Sequence, residues 1–391
     1  MRQLRPFERG MPFTRVNWAC HLRGGVDRDL LATAFDHVVA TQPVLRTRLS
    51  GRDHLFVGAE PPRLEVSGVS PQEEAATAFD GPLVRAALCT SGDEDVFVLG
   101  IEHLVADGRS AFMVLNWIWE AYTALAEGCP APVPPEAALV SPLDLLSTVD
   151  EAYVAKRRAS AVDVAHVPFA PETGSRTELS RTRLDERTTG LLAARAKAEG
   201  VTMHGVIAAA LLLAARAEMP ATGAMPLGLF TGVDLRTRLA LPANAVVNNG
   251  GWFVDTIAVE RAGDPLRLAD GITRRLRAAV DEGVPELELR GFAETLVDPG
   301  YVRGVTLITS NIGVVTPPRL PAGLEMTDLW TGMVVPDRPR PPVEHGPFSA
   351  NALTFDGRLH VGILHRPDCF GYRQVRRMLD HVAATLTELA G

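Results

Sequence analysis

One segment of the chain is apolar on nearly every side of a predicted helix, and this feature limits most strongly which folds are possible. The segment is Met203–Glu218; Thr202 can cap its start and Pro220 ends it. A helix of this kind is stable only when it is buried all round. The longest apolar run, Val206–Ala215, is well short of the roughly 20 residues that span a bilayer. We therefore expect a core helix and no membrane span.

Predicted strands and helices alternate on both sides of this segment. Apolar spacings of three and four predict a helix that Asp27 caps, a second from Arg109 to Gly128, and a last one after Tyr372. Asp356 and Gly357 form a strong hairpin signal. The predicted strands are Leu55–Val57, Val84–Leu88, Val96–Ile101, Thr177–Leu184, Pro226–Thr231, Trp252–Val259, Val305–Ser310, Ala352–Phe355 and Leu359–Leu364. Both halves are thus mixed α/β, which suggests a duplicated α/β unit.

The length of the chain predicts more than one domain. A single core stops growing well before 391 residues, so we expect two domains of under 200 residues each. The stretch Cys129–Ser175 is rich in proline and alanine and is typical of a connection. We therefore predict an N-terminal lobe at 1–128, a Pro-rich connection at 129–176 and a C-terminal lobe at 177–391.

Composition and charge exclude several classes of protein. With 46% hydrophobic and 22% charged residues the chain is globular, and a net charge of −8 argues against nonspecific nucleic-acid binding. The four cysteines and the histidines lack the spacing of a disulfide framework or a zinc site, so no metal is expected. Neither a phosphate-binding loop nor a dinucleotide fingerprint is present. The charged N-terminus lacks the apolar region of a signal peptide, which predicts a cytoplasmic protein.

The segment that carries chemistry follows the predicted strand Val96–Ile101. His103 stands at the strand end, where its side chain is held rigidly and titrates near neutrality. Asp107 and Gly108 follow at the turn into a helix; the aspartate can shape the loop, and the glycine allows close approach of a ligand. The alternative is a core histidine followed by an ordinary helix cap, and these three residues alone do not decide between the two.

The order of further motifs along the chain favours a functional His103 over a core histidine. The His103 segment resembles the H-H-x-x-x-D-G signature of the superfamily that contains nonribosomal peptide condensation domains, chloramphenicol acetyltransferase and stand-alone polyketide-associated acyltransferases. Within it, the chain is most similar to the phthiocerol dimycocerosyl transferase group. Matching segments follow in the expected order along nearly the whole chain: Leu31–Arg48, Gly81–Arg85, Gly200–Ala210, Val233–Arg236, Gly251–Thr256, Ser310–Gly313 and Phe355–Leu359.

The resemblance implies a fold and a set of site residues. The implied fold is two chloramphenicol-acetyltransferase-like α/β lobes in a V, with the active site at their interface and with Thr331–Phe348 and the late hairpin crossing onto the first lobe. His103 would be the general base, and Asp107 would form a structural interlobe ion pair with Arg236. Gly108 would lie near the acyl carbonyl. The developing oxyanion needs a donor, which Gly108 N–H or Asn311 could supply. Trp252 packs in the core or lines an acyl pocket.

The implied reaction moves an acyl group from a thioester, on coenzyme A or an acyl carrier protein, to a hydroxyl of a specialised-metabolite or lipid acceptor. An amine is the less favoured acceptor. The thioester is a co-substrate, no other cofactor is expected, and a monomer suffices.

One departure from the signature keeps two other functions open. Glu102 replaces the first histidine. Side chains alternate along a strand, so we expect Glu102 to point away from His103. Were it to face the imidazole, the chain could be a carrier-protein binding module without catalysis. A repurposed enzyme that catalyses cyclisation or another non-acyl reaction is the third alternative.

Overall fold

The structure is a computed structural model that describes residues 2–4, 8, 14–51, 54–77, 81–91, 94–135, 141, 151–159, 162–295, 304–334 and 344–391. The chain divides into two compact units that do not follow its linear order. Unit 1 comprises Met1–Ser147, Arg236–Asn249 and Thr316–Pro336. Unit 2 comprises Thr148–Leu235, Gly250–Val315 and Asp337–Gly391.

Unit 1 is built on a five-stranded sheet of order β13-β2-β7-β6-β5 and a three-stranded sheet of order β1-β4-β3. Neighbouring strands are antiparallel except β5 and β6. The strands are β1 (Arg2–Gln3), β2 (Arg15–Arg23), β3 (Thr47–Ser50), β4 (His54–Val57), β5 (Leu64–Ser67), β6 (Val84–Ser91), β7 (Glu94–Glu102) and β13 (Glu325–Val334). The helices are α1 (Arg28–Thr41), α2 (Pro71–Ala76) and α3 (Gly108–Ala126), with a 3₁₀ turn at Pro43–Arg46.

The larger sheet of unit 1 places apolar side chains on the face that α3 covers. Trp18 of β2 contacts Phe112 of α3, with ring centroids 4.8 Å apart, and Phe97 of β7 meets Trp119 edge to face at 5.6 Å. Asp27 caps α1 through a 3.0 Å bond from Leu30 N–H, as predicted. Because residues alternate along β2 and β7, the opposite face carries the polar residues Arg15, Asn17 and Glu102 at the end next to the predicted catalytic loop.

Unit 2 contains a six-stranded sheet of order β11-β10-β12-β15-β16-β9 and a small β14-β8 pair. Strands β10, β12 and β15 run parallel to one another, and the other pairs are antiparallel. The strands are β8 (Val167–Pro168), β9 (Glu178–Arg183), β10 (Met225–Asp234), β11 (Gly250–Val259), β12 (Leu307–Val315), β14 (His345–Gly346), β15 (Phe348–Phe355) and β16 (Arg358–His365). The helices are α4 (Glu151–Ala159), α5 (Glu186–Ala198), α6 (Met203–Ala217), α7 (Pro265–Asp281), α8 (Val284–Thr295) and α9 (Tyr372–Ala390).

Helix α6 is the buried centre of unit 2, as its sequence predicts. Thr202 caps it by accepting from Gly205 N–H at 3.0 Å. Its last turn buries the Arg216 guanidinium, which donates to the carbonyl oxygens of Val259, Ala221 and Gly223 at 3.2, 2.7 and 2.5 Å. A buried cation is tolerated here because main-chain oxygens replace its water. No single helix in the described parts of the chain is long and apolar enough to cross a membrane, although the bent pair α5 and α6 together reaches that length and composition.

The α/β class is confirmed, while one detail of the crossover is wrong. The late hairpin forms at Asp356 and Gly357, both with positive φ, but its strands pair within the unit 2 sheet. The segments of the second half that belong to unit 1 are Arg236–Asn249 and Thr316–Pro336. Strand β13, in the second of these, contains Thr331–Val334 of the predicted segment Thr331–Phe348, and residues 335–343 of that segment lie outside the described residues. The lobe boundaries at 128 and 176 stay a prediction.

Candidate active site

His103 follows the last residue of β7 and is held by main-chain bonds on both sides. Its N–H donates to Thr14 O at 2.7 Å. The N–H groups of Val105 and Ala106 turn back to Glu102 O at 3.0 and 3.3 Å. The loop between β7 and α3 is therefore a tight turn anchored to β7 and to the residue before β2.

The His103 imidazole has a defined tautomer. Its Nδ1 lies 3.1 Å from Ala106 O. A carbonyl oxygen only accepts, so Nδ1 carries the proton and Nε2 keeps its lone pair. Burial of the ring lowers the pKa of His103 below its usual value, against a smaller opposite effect of the Asp107 carboxylate. The imidazole is consequently neutral near pH 7, the state a general base requires.

Asp107 caps helix α3 and forms a two-pronged ion pair. Its Oδ1 accepts from Ser110 N–H at 2.7 Å. Arg236 Nη1 and Nη2 lie 3.3 Å from Oδ2 and Oδ1. Both carboxylate oxygens are thus occupied by donors, which suits a structural role rather than proton transfer.

Arg236 connects this loop to the chain segment that follows it. The side chain is 5% exposed and also donates to Ser110 Oγ at 2.5 Å and to Ala245 O at 3.1 Å. Ser110 Oγ in turn donates to Val247 O at 2.8 Å. The expectation of an interlobe pair is wrong, because Arg236–Asn249 belongs to the same unit as Asp107.

Gly108 begins helix α3. Its carbonyl oxygen accepts from Trp18 Nε1 at 3.0 Å. Its φ is not in the left-handed region, so this position does not require the conformational freedom of glycine. Close approach of a ligand to the helix start remains a reason for glycine here, since the positive end of the helix dipole favours an anion.

Glu102 has an environment of its own, one residue before His103. The residue is 3% exposed, and its Oε1 accepts from Thr14 N–H at 2.8 Å. Arg15 lies directly opposite Glu102 in the β2–β7 register. Burial raises the pKa of Glu102 to about 7, against the smaller effects of the Thr14 N–H and the Arg15 charge. The carboxylate is thus bonded to a main-chain amide, and the expectation that it points away from His103 stays a prediction.

The remaining predicted site residues lie in unit 2. Asn311 sits at an irregularity of β12, and its Oδ1 accepts from Gly313 N–H at 2.9 Å. Trp252 of β11 is 4% exposed and stacks on Phe230 with centroids 5.8 Å apart, which favours a packing role. The structure therefore brings together His103, Glu102, Asp107, Gly108 and Arg236 within unit 1.

Sequence reasoning missed Thr14 and Ser110. The available signal for Ser110 is its place three residues after the capping aspartate, where a hydroxyl can face the same loop. Thr14 acts through its main-chain N–H and carbonyl groups, which nearly every residue type has, so its identity in the sequence gives no signal. Within the described ranges, His, Cys, Asp and Glu side chains form no group of three that could hold a metal ion.

Comparisons with known proteins identify what the whole chain is similar to. Residues 173–364 match the family model described as phthiocerol/phthiodiolone dimycocerosyl transferase C-terminus. The phthiocerol/phthiodiolone dimycocerosyl transferase of Mycobacterium ulcerans is 24% identical over 346 residues, covering 80% of each chain. The chain is a relative of these transferases. The resemblance drawn from the motifs is thereby confirmed.

Solved structures show the same fold over at least nine tenths of each chain compared. Polyketide synthase associated protein 5 from Mycobacterium tuberculosis has a TM-score of 0.77 at 20% identity, covering 100% of this chain and 98% of that one. The trichothecene 15-O-acetyltransferase of Fusarium sporotrichioides has a TM-score of 0.74 at 13% identity, covering 98% and 92%. The first condensation domain of the calcium-dependent antibiotic synthetase has a TM-score of 0.69 at 17% identity, covering 96% and 91%.

Proposed function

We propose that this relative of the dimycocerosyl transferases is an acyltransferase. It moves an acyl group from a thioester, on coenzyme A or an acyl carrier protein, to a hydroxyl of a small specialised-metabolite or lipid acceptor. The observation that carries the proposal is the His103 imidazole, whose Nδ1 is committed to Ala106 O and whose Nε2 is left as a base. The names of the Mycobacterium ulcerans relative and the Fusarium structure support acyl transfer, the latter to oxygen.

The chemistry needs no covalent enzyme intermediate. His103 Nε2 takes the proton from the acceptor hydroxyl as its oxygen attacks the thioester carbonyl, so that a C–O bond forms. When the tetrahedral intermediate collapses, the C–S bond breaks and the imidazolium returns its proton to the leaving thiolate. The oxyanion needs a donor, and within unit 1 the candidate is Gly108 N–H at the start of α3. A donor role for Asn311 stays a prediction from the sequence.

The structural residues keep this base in place. Asp107 and Arg236 hold the helix start beside the loop through their paired bonds. No further cofactor is required, because the thioester itself supplies the activated acyl group. A cytoplasmic location and a monomeric state stay predictions from the sequence.

The binding-module alternative depended on Glu102 facing the base. The bond of its carboxylate to Thr14 N–H supports catalysis over this alternative, because it gives Glu102 a partner other than the imidazole. The cyclising alternative differs in its product, since it forms no intermolecular ester.

Replacing the base is the direct test. We expect His103→Ala to lower the turnover rate by about 10²–10⁴-fold, as is typical when a general base is lost. The measurement is single-turnover ester formation from acyl thioesters and alcohols, with thermal unfolding as the check on folding. His37→Ala is the control, because His37 lies on α1 of the same unit and bonds only to Pro132 O among the contacts described. Activity of His103→Ala within a few-fold of wild type would contradict the assignment.

The pH dependence gives a second test. Because burial lowers the pKa of His103, we expect the acidic limb of kcat/KM to lie below the ordinary histidine value of about 6.5. Rates should hold as pH falls toward that value and decline only below it. A limb well above 6.5 would show that another group, or a charged imidazole, controls the reaction.

A further inference from the structure

We propose that Glu102 is a positioning residue for His103 and acts through the main chain of Thr14. The proposal rests on the acyl transfer proposed above, in which His103 is the base. It gives a role to the residue at which this chain departs from the two-histidine signature.

Thr14 is bonded by two consecutive residues of the catalytic strand and loop. Its N–H donates to Glu102 Oε1 at 2.8 Å, and its carbonyl oxygen accepts from His103 N–H at 2.7 Å. The side chain of one residue and the main chain of the next therefore fix the same peptide segment. Any shift of Thr14 moves the anchor of the His103 main chain.

The main chain of Glu102 belongs to the same arrangement. Its N–H donates to Leu83 O at 2.8 Å, and its carbonyl oxygen accepts from Val105 and Ala106 N–H. Ala106 also provides the oxygen that fixes His103 Nδ1. Glu102 is thus bonded to the residue before β2 and, across the turn that orients the imidazole, to Val105 and Ala106.

Charged side chains near Glu102 lie on the neighbouring strand β2 and, further away, on β6, β5 and α2. Arg15 faces it from β2, and the Arg15 guanidinium reaches Ala75 O of α2 at 3.3 Å. Arg85 of β6 is one strand further and pairs with Glu74 of α2 at 2.5 Å, while Glu65 of β5 also binds Arg85 at 2.7 Å. His103 itself follows in the chain. Arg15 is the cation opposite Glu102 in the strand register, and Arg85 is neutralised by its own carboxylates.

The essential feature of Glu102 is a buried acceptor oxygen for Thr14 N–H. A glutamine keeps such an oxygen at the same reach, whereas alanine or leucine leaves the amide without a partner in a buried place. The conservative variant should therefore rescue what the apolar variants lose. Glu74 is the matched control, since it is a glutamate of the same unit with the same 3% exposure, but its carboxylate binds the Arg85 side chain.

The experiment compares Glu102→Ala, Glu102→Leu, Glu102→Gln and Glu74→Ala in the full chain. We expect Glu102→Ala and Glu102→Leu to lower kcat about tenfold or more with KM within about twofold. Glu102→Gln and Glu74→Ala should stay within about threefold of wild type. Leucine fills the volume, so it tests the idea if the alanine variant does not fold. Equal losses in Glu102→Gln and Glu102→Leu would overturn the role of the acceptor oxygen, and unchanged kcat in all variants would overturn the proposal.

The NMR resonance of the His103 Nδ1 proton tests the positioning role of Glu102 independently of whether the protein transfers acyl groups. In histidine-labelled protein, the Nδ1 proton of His103 is protected by its bond to Ala106 O, and His103→Ala assigns its resonance. We expect that resonance to broaden or vanish in Glu102→Leu and to persist in Glu102→Gln and Glu74→Ala. If His103→Ala leaves transfer unchanged, the proposed function is wrong and the resonance alone decides whether Glu102 positions the ring. Its persistence in Glu102→Leu would contradict that positioning.

Discussion

Two adjacent side chains of opposite chemistry are both shifted toward their neutral forms in this site. Burial lowers the pKa of His103 and raises that of Glu102 to about 7. The sequence could predict that His103 follows a strand end, and the resemblance implied the pairing of Asp107 with Arg236 that the structure contains. It could not predict that Ala106 O and Thr14 N–H hold these side chains, since those are main-chain atoms placed by the turn.

The titration of Glu102 makes the stability of the fold depend on pH. Its folded pKa of about 7 lies above the ordinary glutamate pKa of 4.5, so the unfolded chain releases this proton first as pH rises. The stability that the protonated carboxyl contributes is present below pH 4.5 and lost as pH rises through about 7. We expect the free energy of unfolding of wild type, relative to Glu102→Gln, to fall by roughly 1–3 kcal/mol across that window. Urea unfolding of both proteins at pH 5 and pH 8 measures this, and a constant difference would contradict it.

We expect the ion pair between Asp107 and Arg236 to make a large contribution to the free energy of unfolding. Asp107→Ala leaves a guanidinium buried without its carboxylate, so we expect a loss of about 3–5 kcal/mol together with lower activity. Asp185→Ala is the matched control, because Asp185 caps α5 through the same 2.7 Å bond to an N–H but is exposed. Chemical denaturation of the two variants compares them. Equal losses would mean that the helix cap, and not the ion pair, is what Asp107 contributes.

At the scale of elements, the sequence was enough to predict a helix or a hairpin wherever the segment contains its own capping residue, turn residues or apolar periodicity. Asp27, Thr202 and Asp185 cap their helices, and the hairpin turns at Asp356 and Gly357. Strand β13 escaped prediction because Glu325–Val334 mixes polar and apolar residues without a strong alternation. Its strand character comes from pairing with β2, which lies some 300 positions earlier in the chain.

A close approach within unit 2 gives a test at the same scale. A Cβ added at Gly228 of β10 would lie 2.0 Å from Gly304 O, a main-chain atom that cannot swing aside. We expect Gly228→Ala to destabilise the protein by about 1–3 kcal/mol or more, since overpacking forces a backbone shift. Gly232→Ala on the same strand is the control, because its added Cβ would meet only Thr309 O at 3.8 Å. Thermal unfolding of both variants measures this. Equal melting temperatures for Gly228→Ala and Gly232→Ala would contradict the prediction, because they would mean that the main chain at residue 304 moves away from β10 at little cost.

At the scale of the whole molecule, unit 1 is assembled from three separate stretches of sequence. Residues 1–147 contribute β2 and β7, while Arg236 and β13 arrive from the second half. Composition and length predicted two compact parts, but a linear reading placed 177–391 in one of them. Contacts between distant residues decide the division, and a single sequence does not display them.

This assembly predicts that the first 147 residues do not fold alone. Without β13 the inner strand β2 becomes a sheet edge, and without Arg236 the Asp107 carboxylate loses its partner. We expect the fragment to aggregate or to lack a cooperative unfolding transition, with the full chain in the same buffer as reference. Sharp thermal unfolding of the isolated fragment would contradict this.

The same interleaving governs how such enzymes can be recombined. Consider a chimera that joins the first 147 residues of one parent to the remainder of another. Its Arg236 and its strand β13 come from the second parent. Aspartate and arginine would then come from different ancestors, as would the paired strands β2 and β13. Exchanging unit 1 intact requires five breakpoints, after residues 147, 235, 249, 315 and 336, in place of one. Libraries built with a single crossover near the middle of the gene should therefore yield few active progeny unless both parents share these contacts.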